Sequence, residues 1–262
     1  MAEAAAAGPS RYRIEALARG LRVLSLFDGT TTSLRIGEIA ARTGIAMPTA
    51  FRIVSTLEEL GFVERGPDGS VQPGLAVFAL GAAAIRGSSL VAVSDGPLRR
   101  LAGATGHTVN LGVLRDDRVL YLARLRNADL VTANVHVGST LPAPYTSMGK
   151  LLLAELPDPE LDRRLTPASF PPGAGANAVR DLAGLRPRLA AIRAAGYAVQ
   201  DEELAPGLRS ISAAVRDGTG RPVAAVNVAV SAPLVTRAEL EGPVLVALRA
   251  AVTDIGIRLG AE

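Results

Sequence analysis

The chain contains no cysteine and no tryptophan, a single lysine (Lys150) and two histidines (His107 and His136). Without cysteine there is no disulfide, no thiolate zinc site and no thiol nucleophile. Two histidines leave little for metal binding or acid–base chemistry, and both are expected to be ordinary strand residues. No metal, cofactor or catalytic residue is expected. Aromatic residues make up 3% of the 262 residues. The core must therefore be built from Leu, Val, Ile and Ala, and platforms for stacking single-stranded bases are scarce. Long apolar runs are also missing. The longest, near residues 75–85 and 223–230, are too short to span a bilayer. The opening MAEAAAAGPS has neither the basic flank nor the hydrophobic stretch of a signal peptide. A soluble, cytoplasmic protein with no membrane partner is expected.

What is present points elsewhere. A 48% apolar content excludes a disordered chain, and 262 residues are comfortable for two domains. Apart from Lys150, the 28 basic residues are all arginine, for a net charge of +3. A planar guanidinium suits phosphate and guanine, although a GC-rich genome produces the same Ala, Arg and Gly bias. The expected layout is a disordered tail over residues 1–10, a first domain over 11–88 and a second over 89–262.

In the first domain, Leu17, Leu21, Leu24 and Phe27 recur at helical spacing. A second helix is expected over 36–42, stopped by Thr43-Gly44, and a third is opened by Pro48 and closed by Gly61. Gly44 supplies the positive φ of the turn, Ala40 the small residue where the helices touch, and Ile39, Ile45, Ala50 and Ile53 the contacts between them. This is a helix-turn-helix arrangement. Two short extended pieces around Gly66-Pro67-Asp68-Gly69 form the hairpin expected of a wing. Arg19, Met47, Pro48, Thr49, Arg52, Ser55 and Arg65 are the candidate DNA-binding residues, with Arg65 at the root of the wing. Residues 1–90 hold nine arginines against eight acids. So nearly neutral a module binds weakly alone, and pairing with a second copy is expected.

The second domain reads as strands joined by hairpins with helices inserted. A hairpin is expected over 108–125, a strand over 130–137, a helix over 145–154, a helix over 181–195 and a last hairpin over 211–230. One long helix from about 236 to 259 closes the chain. The class is α+β, with an antiparallel sheet flanked by helices.

Two other functions have a foothold in the residues. Ser147-Met148-Gly149-Lys150 fits the Ser-x-x-Lys pattern of a serine hydrolase, but the companion Ser-Asp-Asn and Lys-Thr-Gly motifs are absent. Lys150 is expected to be solvated, and Asp201-Glu202-Glu203 to be a solvated loop. A non-catalytic, small-molecule-binding interaction protein is the other alternative.

The runs IEALARGLRVLSLFDG (14–29) and IGEIAARTGIAMPTAFRIVSTLEELGFVER (36–65) resemble the start of the IclR family of bacterial regulators. LPAPYTSMGKLLLAELP (141–157) and GYAVQDEELAPGLRSISAAVRDGTGRPVAAVNVAV (196–230) look like segments of the same family. Their wording is most similar to the branch that controls protocatechuate and 4-hydroxybenzoate breakdown. The resemblance implies a winged helix-turn-helix, a GAF-like effector domain, and dimers that often pair into tetramers through contacts carried largely by the DNA-binding domains. It places an effector pocket at Ser147, Met148, Gln200, Leu208, Ser210, Asn227 and Ala229, with Leu130 and Ala133 closing a lid-side wall. Many members carry Asp in place of Gln200, and Ser in place of Asn227 and Ala229. From the residues alone, Asn227 and Ala229 share one strand face, and Ser147 lies at a helix start. Ser147 could equally be a helix cap, and Asn227 a satisfied sheet polar. Arg209 is expected to hold Asp201 or Glu202 rather than an effector carboxylate.

Overall fold

The computed structural model describes residues 12–28, 31–126 and 135–260. The expected tail and most of the strand expected over 130–137 lie outside the described residues. The chain divides into two compact units, Met1–Ala84 and Ile85–Glu262.

The first unit carries α1 (Glu15–Leu24), α2 (Ile36–Thr43), α3 (Met47–Glu59), β1 (Val63–Arg65) and β2 (Val71–Pro73), followed by α4 (Leu75–Arg86). α2 stops where Gly44 turns left-handed at φ 67°, a conformation that costs a side chain with a Cβ but not glycine. Pro48 occupies the first turn of α3, where a missing N–H leaves nothing unsatisfied. β1 and β2 pair antiparallel, with Glu64 opposite Gln72. Leu34 and Val71 exchange backbone hydrogen bonds of 2.9 and 2.8 Å, which ties the α2 entry to the hairpin. Val23, Ile39, Ala50, Val54 and Val71 are fully buried at the centre of this unit. Ala40 and Ile53 pack half-buried at its edge.

The second unit begins with α5 (Ser89–Thr105). The strands β3 (Thr108–Arg115), β4 (Arg118–Leu125) and β5 (Thr140–Pro142) follow. Helices α6 (Ser147–Ala154), α7 (Asp158–Arg164) and α8 (Leu182–Ala195) come next. Then come β6 (Ala198–Asp201), β7 (Leu208–Arg216) and β8 (Pro222–Ser231), and finally α9 (Arg237–Glu239) and α10 (Leu245–Gly260). Six strands form one sheet in the order β5-β4-β3-β8-β7-β6, and every neighbouring pair is antiparallel.

Strand alternation gives this sheet two unlike faces. Val109, Leu111, Ile211, Ala213, Val226 and Val228 face α5 and α10 in a predominantly apolar core. The intervening residues of the same strands, among them Asn110, Ser210, Ser212 and Asn227, are also buried. They share the opposite face with α6, whose eight residues are all buried. A polar ladder therefore runs through the middle of a hydrophobic domain.

Two expected elements differ. The closing helix is not continuous: a π-type turn at Leu240–Val244, with Gly242 outside the helical region, separates α9 from α10. Pro243 has no N–H to donate, and its ring clashes with the preceding turn. The expected 145–154 helix splits into a 3₁₀ turn, Ala143–Tyr145, and α6, capped by Thr146. Among the described residues, no single helix is long and apolar enough to cross a membrane.

Candidate functional site

In the first unit, α3 presents Met47, Pro48, Phe51 and Arg52 to solvent, while Thr49 and Ser55 are half-buried. Arg52 forms no ion pair or side-chain hydrogen bond among the described residues, so its guanidinium is available. Arg65, at the root of the wing, is engaged within the unit. Its Nε donates to Glu58 at 2.8 Å, and its guanidinium lies 5.6 Å from the centre of the Phe51 ring. Arg19 is likewise engaged, by Glu15 at 3.2 Å, and that carboxyl is held below its usual range by the hydrogen bond from Arg19. Arg19 is thus paired within one turn of its own helix, and Arg65, on β1, is paired with a residue of α3. Phe51, exposed four residues after Met47, was not singled out from sequence; the i, i+4 spacing is its only signal.

In the second unit, a cavity of about 610 Å³ opens on the polar face of the sheet. Gln200, Leu208, Ser210, Asn227 and Ala229 line it, as do Asn110, Tyr121 and Arg124. One polar side chain after another crosses the strands. Arg124 of β4 donates to Asn110 Oδ1 at 3.0 Å, and Asn110 Nδ2 donates to Asn227 Oδ1 at 2.7 Å. Asn227 Nδ2 lies 3.5 Å from Ser147 Oγ, which shares a 2.8 Å hydrogen bond with Ser210 Oγ. The Gln200 amide completes the row. Its oxygen accepts from the backbone N–H groups of Glu203 (3.1 Å) and Leu204 (3.0 Å), the orientation that satisfies both ends of the amide.

Burial shapes the electrostatics. It pushes the Tyr121 phenol well above its usual range and pulls the Arg124 guanidinium down from its own. Arg124 is the only charged residue among the described lining residues.

Several expected positions need correction. Met148 does not line the cavity: it is fully buried in the apolar core, with its Cε beneath Gly112. Ser147 is not the cap of α6. Thr146 is, accepting from Gly149 N–H at 2.9 Å, and Ser147 reaches the cavity only through Ser210 and Asn227. Leu130 and Ala133 lie outside the described residues. Lys150, expected in solvent, is 2% exposed. Its Nζ donates to the Val199 carbonyl at 2.8 Å and pairs with Glu203, which is itself buried rather than in a solvated loop. Burial pulls the Lys150 ammonium down in pKa, and Glu203 opposes that shift. Ser147 and Lys150 therefore do not face each other as nucleophile and base. Arg209 holds Asp201 at 2.7 Å and donates to the carbonyls of Ala232 and Val235, the structural role expected of it.

Comparison with known proteins bears on both units. The IclR helix-turn-helix domain model matches residues 16–67, and the model for the C-terminal region of the bacterial transcriptional regulator IclR matches 82–257. The Pca regulon regulatory protein of Pseudomonas putida is 34% identical over 241 residues, 91% of this chain and 82% of that protein. The HTH-type transcriptional regulator BhcR of Paracoccus denitrificans is 34% identical over 218 residues, 82% of this chain and 77% of that one. The crystal structure of an IclR homologue from Microbacterium hydrocarbonoxydans, complexed with 4-hydroxybenzoate, covers 94% of this chain and 100% of its own. It superimposes with a TM-score of 0.75 at 29% identity.

Proposed function

We propose that this chain, which belongs to the IclR family of bacterial transcriptional regulators, reads operator DNA with α3 and adjusts that contact by binding a small organic acid in the cavity of its second unit. The observation that carries the effector reading is the polar row that lines one wall of an otherwise apolar cavity. Its described lining has one cation, Arg124, no carboxylate, and a row of buried amides and hydroxyls. Amide and hydroxyl donors beside a guanidinium can hydrogen-bond the oxygens of a carboxylate, which suits an organic acid. Apolar walls from Val135, Leu141 and Leu204 suit the body of an aromatic acid. The homologue that binds 4-hydroxybenzoate supports the same class.

Thermal-shift titration of the whole chain with hydroxylated benzoates and short aliphatic acids tests this. A rise in Tm with an aromatic acid is expected, since a ligand that binds only the folded state stabilises it by mass action. Ser147→Val removes the hydroxyl that joins Ser210 to Asn227. It is expected to suppress that rise while operator affinity stays at the wild-type value. Loss of operator binding in the variant would make Ser147 a structural residue only.

The DNA-binding unit works as a pair. Ile14, Leu17 and Leu21 of the α1 region are all more than half exposed. Burying this face against a second copy removes the exposed surface and supplies the second recognition helix that a nearly neutral module needs. Sedimentation of the intact chain is expected to give a dimer or tetramer that Leu21→Asp shifts toward monomer; an unchanged distribution would rule out this face.

A further inference from the structure

The only lysine of the chain lies under one wall of the cavity. Residues Leu204–Leu208, in the turn that joins β6 to β7, form that wall. Little apolar packing holds the turn. Leu204, Ala205, Leu208 and Ala229 make a small satellite cluster apart from the two main cores. The turn also carries backbone strain, because Glu202 is a non-glycine residue at φ 54°. Its position is set by polar tethers instead. The Glu202 carboxylate accepts from Gly207 N–H at 2.9 Å. The Glu203 carbonyl accepts from Gly175 N–H at 2.9 Å, in a contact so close that a Cβ on Gly175 would lie 1.7 Å from the Glu202 carbonyl oxygen. The Glu203 carboxylate turns away from the cavity. It pairs with Lys150 and has Arg188 at 3.3 Å.

Lys150 is itself well anchored. It belongs to α6 and donates to Val199 on β6 at 2.8 Å. Thr146, one turn earlier at the cap of the same helix, lines the cavity. The pair therefore links the helix whose cap, Thr146, lines the cavity to the turn that walls it. It also holds Glu203 where the backbone N–H groups of Glu203 and Leu204 meet the Gln200 amide.

We infer that Lys150 is a positioning residue for effector binding: through its buried ion pair with Glu203 it sets the place of the 202–207 turn, and with it the Gln200 amide and the Leu204–Leu208 wall. Lys150 touches no ligand in this account. The inference rests on reading the cavity as the effector site.

The test uses the full-length chain, with 4-hydroxybenzoate as the probe and amide hydrogen exchange as a second readout that needs no ligand. Lys150→Met is expected to speed exchange of residues 202–207 by about tenfold or more, leaving β8 and α10 unchanged, and to weaken probe binding by about tenfold. The double variant K150M/E203M replaces both charges with apolar chains of similar length. Such replacements of a buried pair are neutral or stabilising in many proteins, so Tm should return close to wild type. The turn has then lost its tether, so fast exchange and weak binding should persist. Recovery of both along with Tm would overturn the inference, as would unchanged exchange of the turn in either variant. If K150M does not fold, the double variant decides alone. If the wild-type chain does not bind 4-hydroxybenzoate, that result counts against the aromatic-acid reading, and the exchange comparison still decides the role of Lys150.

Discussion

Replacing Asn227 with leucine is expected to abolish the ligand-induced rise in Tm and to lower the Tm of the unliganded chain. Asn227 sits mid-strand in β8, opposite Asn110 of β3 and Ser212 of β7. Its oxygen accepts from Asn110 and its nitrogen points to Ser147. Leucine has the same branched shape, but its two methyl groups are bulkier than the amide oxygen and nitrogen, so some overpacking adds to the loss. The substitution removes the acceptor of one buried amide and a partner of one buried hydroxyl. Each group left unsatisfied away from water costs about 1–3 kcal/mol. For a domain of this size, each kcal/mol lowers Tm by about 2–4 °C. Arg124 is affected indirectly, because the Asn110 amide that receives its guanidinium loses its own anchor. Asn227→Ser places a hydroxyl at the position, which can still donate and accept there, and is expected to recover part of the stability. A leucine variant with wild-type Tm and a wild-type ligand shift would mean that the effector binds elsewhere.

Arg52→Ala is expected to weaken operator binding by about 1–3 kcal/mol if the side chain reads a guanine, and by a smaller amount on unrelated DNA. The distinction rests on how the arginines of this unit are used. Arg19 and Arg65 are held by Glu15 and Glu58, so a contact with DNA would first have to break an intramolecular pair. Arg52 stands exposed on α3 with no such partner among the described residues. Fluorescence anisotropy on operator and scrambled duplexes, at one fixed salt concentration, measures both losses. Equal losses on the two duplexes would reduce Arg52 to a phosphate contact. Arg65→Ala is expected to have the smaller effect on operator affinity, its main consequence being a looser junction between α3 and the wing.

These expectations draw unequally on sequence and on structure. The helix-turn-helix was legible because its signals are local. Gly44 at the turn, Pro48 at the helix start and the Gly-Pro-Asp-Gly turn of the wing each act within a few residues of themselves. The strands of the two long hairpins were legible too, since alternation is a property of neighbours along the chain; β5, inside a Pro-rich run, was not. What sequence could not supply was register, and register decides which polar side chains meet. Asn110 and Asn227 are 117 residues apart, and nothing in either strand announces the other. A shift of one residue would have sent both to the opposite face. Asn227 was singled out only because the family resemblance placed it in a pocket, and Asn110, Tyr121 and Arg124 carried no such signal.

Lys150 shows the same limit from the other side. Its helix reads SMGKLLLA, and a lone lysine in an apolar helix is ordinarily taken to reach water. Burial was possible only because the chain returns 53 residues later with Glu203 to meet it. Local chemistry thus settled the helix-turn-helix with its wing and the absence of cysteine-based sites. Only the folded sheet, by bringing distant strands into one register, determined which polar groups share a cavity and which charges stay buried beside it.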